Sequence, residues 1–165
     1  NGLLRKGTLP PGKLSTRNEV KLKNRLIENI PAHYGEIVDK TEDSYIQVIY
    51  TLDLHSYSKN RMALIGDAGS VIQPFTGSGV FKGYNNVKGL IDCLENYSTF
   101  DLAMKMWSDK QVQTGKKLLF LGEQMENAFI WNQLDFSKAT ASETSEWWKK
   151  SVTFPDNFSY EDFQR

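Results

Sequence analysis

Residues 61–82, Arg-Met-Ala-Leu-Ile-Gly-Asp-Ala-Gly-Ser-Val-Ile-Gln-Pro-Phe-Thr-Gly-Ser-Gly-Val-Phe-Lys, decide the fold. Arg61 to Ile65 is a brief apolar run that stops abruptly at Gly66-Asp67, the pattern of a buried parallel strand. The chain must turn sharply at Gly66, which places Asp67 just past the carboxyl edge of that strand, where open α/β sheets bind ligands. Pro74 stiffens the loop, and Thr76-Gly77-Ser78-Gly79 opens a helix. Glycines there let a ligand lie against bare backbone, and the free N–H groups of a first helical turn favour an electron-rich group. An aspartate repels a phosphate, so its natural partner is a hydroxyl, as on a sugar or ribityl chain. Strand, acid, proline and glycine-opened helix describe one side of a nucleotide-like cofactor site. The same pattern also suits a tight strand-to-helix turn with Asp67 as a simple cap.

Outward from this segment the periodicity changes twice. On the amino-terminal side, Ile46, Val48, Tyr50, Leu52 and Leu54 alternate with Tyr45, Gln47, Ile49, Thr51 and Asp53, so the spacing predicts a strand over 45–54. On the carboxy-terminal side, Val80, Tyr84, Val87, Ile91 and Leu94 recur at helical intervals, despite Gly83 and Gly89. Ser98-Thr99-Phe100-Asp101 marks a further helix start, and Phe100 to Trp131 is helical in pattern throughout. An unbroken helix of that length spans ~48 Å, so a break near Gly115 or Gly122 is expected. Before the strand, Thr16 and Glu19 have capping-box spacing at the start of a helix with Val20, Ile27 and Ile30 as its buried stripe, halted by Pro31. After the long helical stretch, a short helix around Trp147 leads into an irregular tail pinned by Phe154, Phe158, Tyr160 and Phe163.

Composition narrows the function classes. Twenty cations balance twenty anions across 165 residues, and this neutrality argues against nucleic-acid binding. A single cysteine, Cys93, excludes an internal disulfide framework, and with only two histidines a zinc cluster is not expected. No apolar run reaches the roughly 18 residues of a membrane helix. A cytoplasmic protein without membrane or metal is the expectation. Residues 1–40 carry eight cations and four anions, residues 123–165 four cations and eight anions, a basic front and an acidic tail that solvate their own elements or attract each other or a partner. His33 and His55 lie on polar segments without a partner at catalytic spacing, and Cys93 reads as a small hydrophobe.

The central segment resembles the FAD-dependent aromatic-ring hydroxylases, the group-A flavoprotein monooxygenases of the p-hydroxybenzoate hydroxylase type. Their second FAD motif is an apolar strand ending in Gly-Asp-Ala, then a proline and a Gly-x-Gly helix start. Here those residues are Leu64-Ile65-Gly66-Asp67-Ala68, Pro74 and Gly77-Ser78-Gly79. The nearest flavour is the dihydroxypyridine- and salicylate-hydroxylase-like branch, and the likeness covers most of residues 40–125. It implies an α/β, FAD-binding fold with strands followed by carboxy-terminal helices. Residues 1–60 would be the remnant of a substrate-domain segment, 61–97 the second half of the FAD-binding domain, and 98–165 the carboxy-terminal helices and aromatic tail.

By the same resemblance, Asp67 holds a ribityl hydroxyl of FAD and Gly66 allows its approach. Pro74 sits beside the flavin ring, and the helix opened by Gly77 and Gly79 points the amides around Gly79, Val80 and Phe81 at its pyrimidine edge. The family uses NAD(P)H and oxygen to hydroxylate a small aromatic substrate, and no catalytic side chain is required of this stretch because the cofactor carries the chemistry. Gly69-Ser70 and Asn85-Asn86 depart from the usual motif, and no Gly-x-Gly-x-x-Gly fingerprint is present. The expectation is therefore the carboxy-terminal region of a longer flavoenzyme, lacking its amino-terminal FAD-binding segment and able to form a homodimer. Flavin halogenases and epoxidases share the motif, and a non-enzymatic helical interaction module is the alternative from another class.

Overall fold

Asn60 has a left-handed backbone (φ 55°), and there the chain reverses between β2 (Ser58–Lys59) and β3 (Met62–Ala63). A turn this tight forces the antiparallel ladder that is observed, with Ser58 opposite Ala63 and Lys59 opposite Met62. The expected parallel strand over Arg61–Ile65 is thus a two-residue hairpin arm, and Met62 is largely exposed. The predicted strand over 45–54 is likewise shorter. Only β1 (Leu52–Asp53) pairs, antiparallel with β4 (Ser70–Val71), while Ile46 makes an isolated bridge to Leu9.

The computed structural model describes residues 7–153, and the expected tail aromatics from Phe154 onward lie outside them. The chain forms two units, Asn1–Ile49 and Tyr50–Arg165. In the first, α1 (Thr16–Ile27) packs against α2 (Ala32–Lys40), and the Lys23 ammonium reaches the carbonyl of Asp39 (3.2 Å). That is the end of a helix where a cation is favoured. The expected buried stripe of α1 is absent: none of its residues is buried, and Val20 is half exposed. α1 stops at Ile27, short of Pro31, which instead precedes α2.

The second unit is strands first and helices after. α3 (Gly79–Asn96) packs on α4 (Phe100–Glu126), and α5 (Ala141–Val152) packs on the far end of α4. Thr99 caps α4 as expected, its hydroxyl accepting from the Leu102 N–H (3.3 Å). α4 runs unbroken through Gly115 and Gly122 and changes only at a π-helical turn, Asn127–Trp131. The glycines are explained by close approach. A Cβ at Gly115 would lie 2.6 Å from the Tyr57 hydroxyl oxygen. Tyr57, Cys93, Ala103, Trp107 and Val112 form the main core, with the Tyr57 ring edge-on to Trp107 (6.3 Å, 86°). Burial pushes the Tyr57 phenol above its ordinary pKa, opposed by the Ser70 hydroxyl and reinforced by the charge of Asp53. Leu121 and Met125 form a second cluster with Phe75, Phe129 and Val152.

Candidate functional site

The α3 helix exists where its spacing placed it, but its faces are inverted relative to a simple amphipathic reading. Val80, Tyr84, Val87, Ile91 and Leu94 all point outward, Val80 at 84% exposure. The buried residues of α3 are Lys82, Asn86 and Cys93. Hydrogen bonding accounts for this choice. Asn86 donates to Gln111 Oε1 on α4 (2.7 Å), and its backbone carbonyl accepts from the Trp107 indole N–H (2.8 Å). A buried polar side chain is tolerated when each of its groups finds a partner.

These polar residues of α3 grip the Gly-Asp turn. Gly66 takes a left-handed backbone (φ 61°), which a side chain would strain. Its N–H donates to Asn86 Oδ1 (2.8 Å), while Asp67 accepts from Lys82 Nζ through Oδ1 (2.8 Å). Lys82 also donates to the Ser70 carbonyl, at the other end of the same loop. The Lys82 side chain is 2% exposed and that of Asp67 77%, so the carboxylate is anchored on one side and open to solvent on the other.

The remaining expected residues lie along the path from this turn into α3. Pro74 opens a 3-10 turn, Pro74–Thr76, and Gly77 closes it in the left-handed region (φ 62°). The Ser78 hydroxyl donates to the Thr76 carbonyl (3.2 Å) and makes no side-chain cap for α3. Gly79 begins the helix with open space where a Cβ would stand, followed by the exposed Val80 and Phe81. Asp67 and Gly66 are therefore brought to the inner face of α3, and Pro74, Gly77, Gly79, Val80 and Phe81 line the approach to its amino end. Lys82, Asn86 and Gln111 were not expected. Lys82 and Asn86 lie four residues apart on the side of α3 opposite its apolar ridge, and Gln111 comes from α4, so pairing them needs the contact between the two helices.

His33 and His55 are exposed, and Cys93 is buried, as read from the sequence. Among the described residues no helix is long and apolar enough to cross a membrane.

No protein-family model matches the chain. Solved structures do. The chain is similar to 2,6-dihydroxypyridine-3-hydroxylase from Arthrobacter nicotinovorans with a TM-score of 0.65 and 18% identity, over 76% of this chain and 32% of that one. The likeness is one of fold. PqsL, a probable FAD-dependent monooxygenase from Pseudomonas aeruginosa, matches with a TM-score of 0.56 and 18% identity, over 69% of this chain and 33% of that one. The tetracycline destructase Tet(51) matches with a TM-score of 0.50 and 15% identity, over 91% and 38%. The shared fold is an α/β arrangement with a β region followed by helices, and the chain spans about a third of the length of these structures.

Proposed function

We propose that the chain is the carboxy-terminal region of an FAD-dependent group-A monooxygenase that hydroxylates an aromatic or heteroaromatic substrate with NAD(P)H and oxygen. The observation that carries this reading is the Asp67 carboxylate, fixed by Lys82 of α3 and open to solvent, on a helix whose amino end has no Ser78 side-chain cap. The fold shared with a dihydroxypyridine hydroxylase supports it.

The residues present fit FAD. The free side of Asp67 accepts a ribityl hydroxyl, and Gly66 and Gly79 have open space where a side chain would otherwise exclude the ligand. The amides of Gly79, Val80 and Phe81 would face an electron-rich edge of the flavin, where the helix dipole would favour negative charge. Pro74 stiffens the turn before α3, where it would border the ring. When bound, FAD would supply the redox chemistry of an NAD(P)H-dependent hydroxylation in which one atom of dioxygen enters the substrate and the other leaves as water. The chain's own residues bind, orient and stabilise charge, and none acts as a nucleophile.

The outward ridge of Val80, Tyr84, Val87, Ile91 and Leu94 supports a larger enzyme. An apolar stripe of this kind is normally covered, and an amino-terminal FAD-binding segment of the same cytoplasmic polypeptide is its natural cover. The test is turnover by the natural protein that contains these residues. Phenol- or hydroxypyridine-dependent consumption of NAD(P)H and oxygen, with a hydroxylated product by mass spectrometry, is expected. A halogenated or epoxidised product would reassign the reaction, and no flavin-dependent turnover would remove it.

A further inference from the structure

We propose that Lys82 is the positioning residue of the cofactor site, holding Asp67 in the one orientation in which its free oxygen meets the ligand. This deepens the flavin reading and rests on it. A surface aspartate in water samples several rotamers, and freezing one at the moment of binding weakens affinity. Here Asp67 is 77% exposed yet bonded through Oδ1 to an ammonium that is itself buried. The same ammonium holds the Ser70 carbonyl, so a single cation ties the start of the loop to its end. One turn along α3, Asn86 holds the Gly66 N–H (2.8 Å). Two residues on one helix face thus grip two consecutive loop residues, one by the backbone and one by the carboxylate.

Stability does not explain this lysine. Desolvating an ammonium is unfavourable, and an apolar side chain of similar length is often as stabilising at a buried site. What only a cation supplies is directed hold on a carboxylate. Lys82 touches neither substrate nor reacting atoms; it acts through Asp67.

The experiment compares Lys82→Met, Lys82→Arg and Asp67→Asn with the natural protein by amide hydrogen exchange and FAD titration. The Ala68 and Gly69 amides, which donate to the carbonyls of Ile65 (3.3 Å) and Gly66 (3.1 Å), report on the loop, and Leu118 and Leu121 report on α4. Lys82→Met should speed loop exchange about tenfold and leave α4 unchanged, with Lys82→Arg restoring most of the protection. It should weaken FAD about tenfold, and add little once Asp67→Asn is present, because the two residues act as a unit. Unchanged loop exchange, or equal acceleration in loop and α4, overturns the proposal, as does an equal loss of FAD affinity in both backgrounds. If Lys82→Met fails to fold, Asp67→Ala, which leaves Lys82 no oxygen at this position to hold, must loosen the same amides, or the proposal falls. Should the natural protein take up no flavin, the flavin reading fails, and the exchange data still decide whether Lys82 positions Asp67.

Discussion

Asp67 and Lys82 depend on each other unequally. The carboxylate is solvated without its partner, whereas the ammonium is not, so truncating the aspartate strands a buried cation with the Ser70 carbonyl as its remaining partner. Asp67→Ala should therefore lower stability by about 1–3 kcal/mol in urea denaturation, and Asp67→Asn by less, since its oxygen still accepts. An equal loss for both would show that the charge rather than the accepting oxygen carries the contact, and no loss for either would show that the ion pair carries no weight. For a binding assay the asparagine variant is the cleaner probe. At Gly115 the determinant is space: a methyl group would meet the Tyr57 hydroxyl at 2.6 Å. Gly115→Ala should cost about 1–3 kcal/mol, and Tyr57→Phe in the same chain should recover much of it. Thermal denaturation of the single and double variants decides this.

Of the helix starts read from the sequence, Thr99 caps α4, whereas the box that opens α5 was not read from it. Thr140 and Glu143 form a full capping box at the start of α5, the threonine N–H donating to Glu143 Oε2 (2.8 Å) and the Glu143 N–H to Thr140 Oγ1 (3.2 Å). These bonds hold the Glu143 carboxyl below the usual glutamate range. A lowered folded-state pKa means that the contribution is complete above the ordinary glutamate pKa and disappears as pH falls through the lowered one. Thr140→Ala should cost about 1 kcal/mol near neutrality, a difference that shrinks on acidification, as read by circular dichroism melts. The identical spacing at Thr16 and Glu19 makes no box, because Ser15 occupies the cap position and Thr16 is already helical. Glu19 lies instead near the Ser44 N–H (3.4 Å) and Lys23 (3.9 Å). Spacing alone does not say which residue stands at the cap. The break expected at Gly115 or Gly122 failed for a related reason, since a helical glycine serves equally as a weak point or as a place for a neighbour to press close.

At the scale of the whole molecule, the Gly-Asp turn, the proline and the opening of α3 were legible from residues 61–82, because their conformations are local requirements of glycine and proline. What escaped was long-range. The orientation of α3 depends on Asn86, Gln111 and Trp107 meeting across two helices, and no periodicity within α3 alone records that its polar side faces inward. The short antiparallel pairings were hidden for the same reason: alternation over 45–54 describes a strand's faces but not its partner. The apolar ridge of α3 faces outward, and the fold is shared with about a third of the length of longer proteins.

The most direct test is to purify the natural protein that contains these residues, denature it, and quantify the flavin released per chain, beside Asp67→Asn. The account predicts a yellow protein with FAD stoichiometric to the chain, and an asparagine variant that folds but retains FAD about tenfold more weakly. A colourless protein that cannot be loaded with FAD would contradict it.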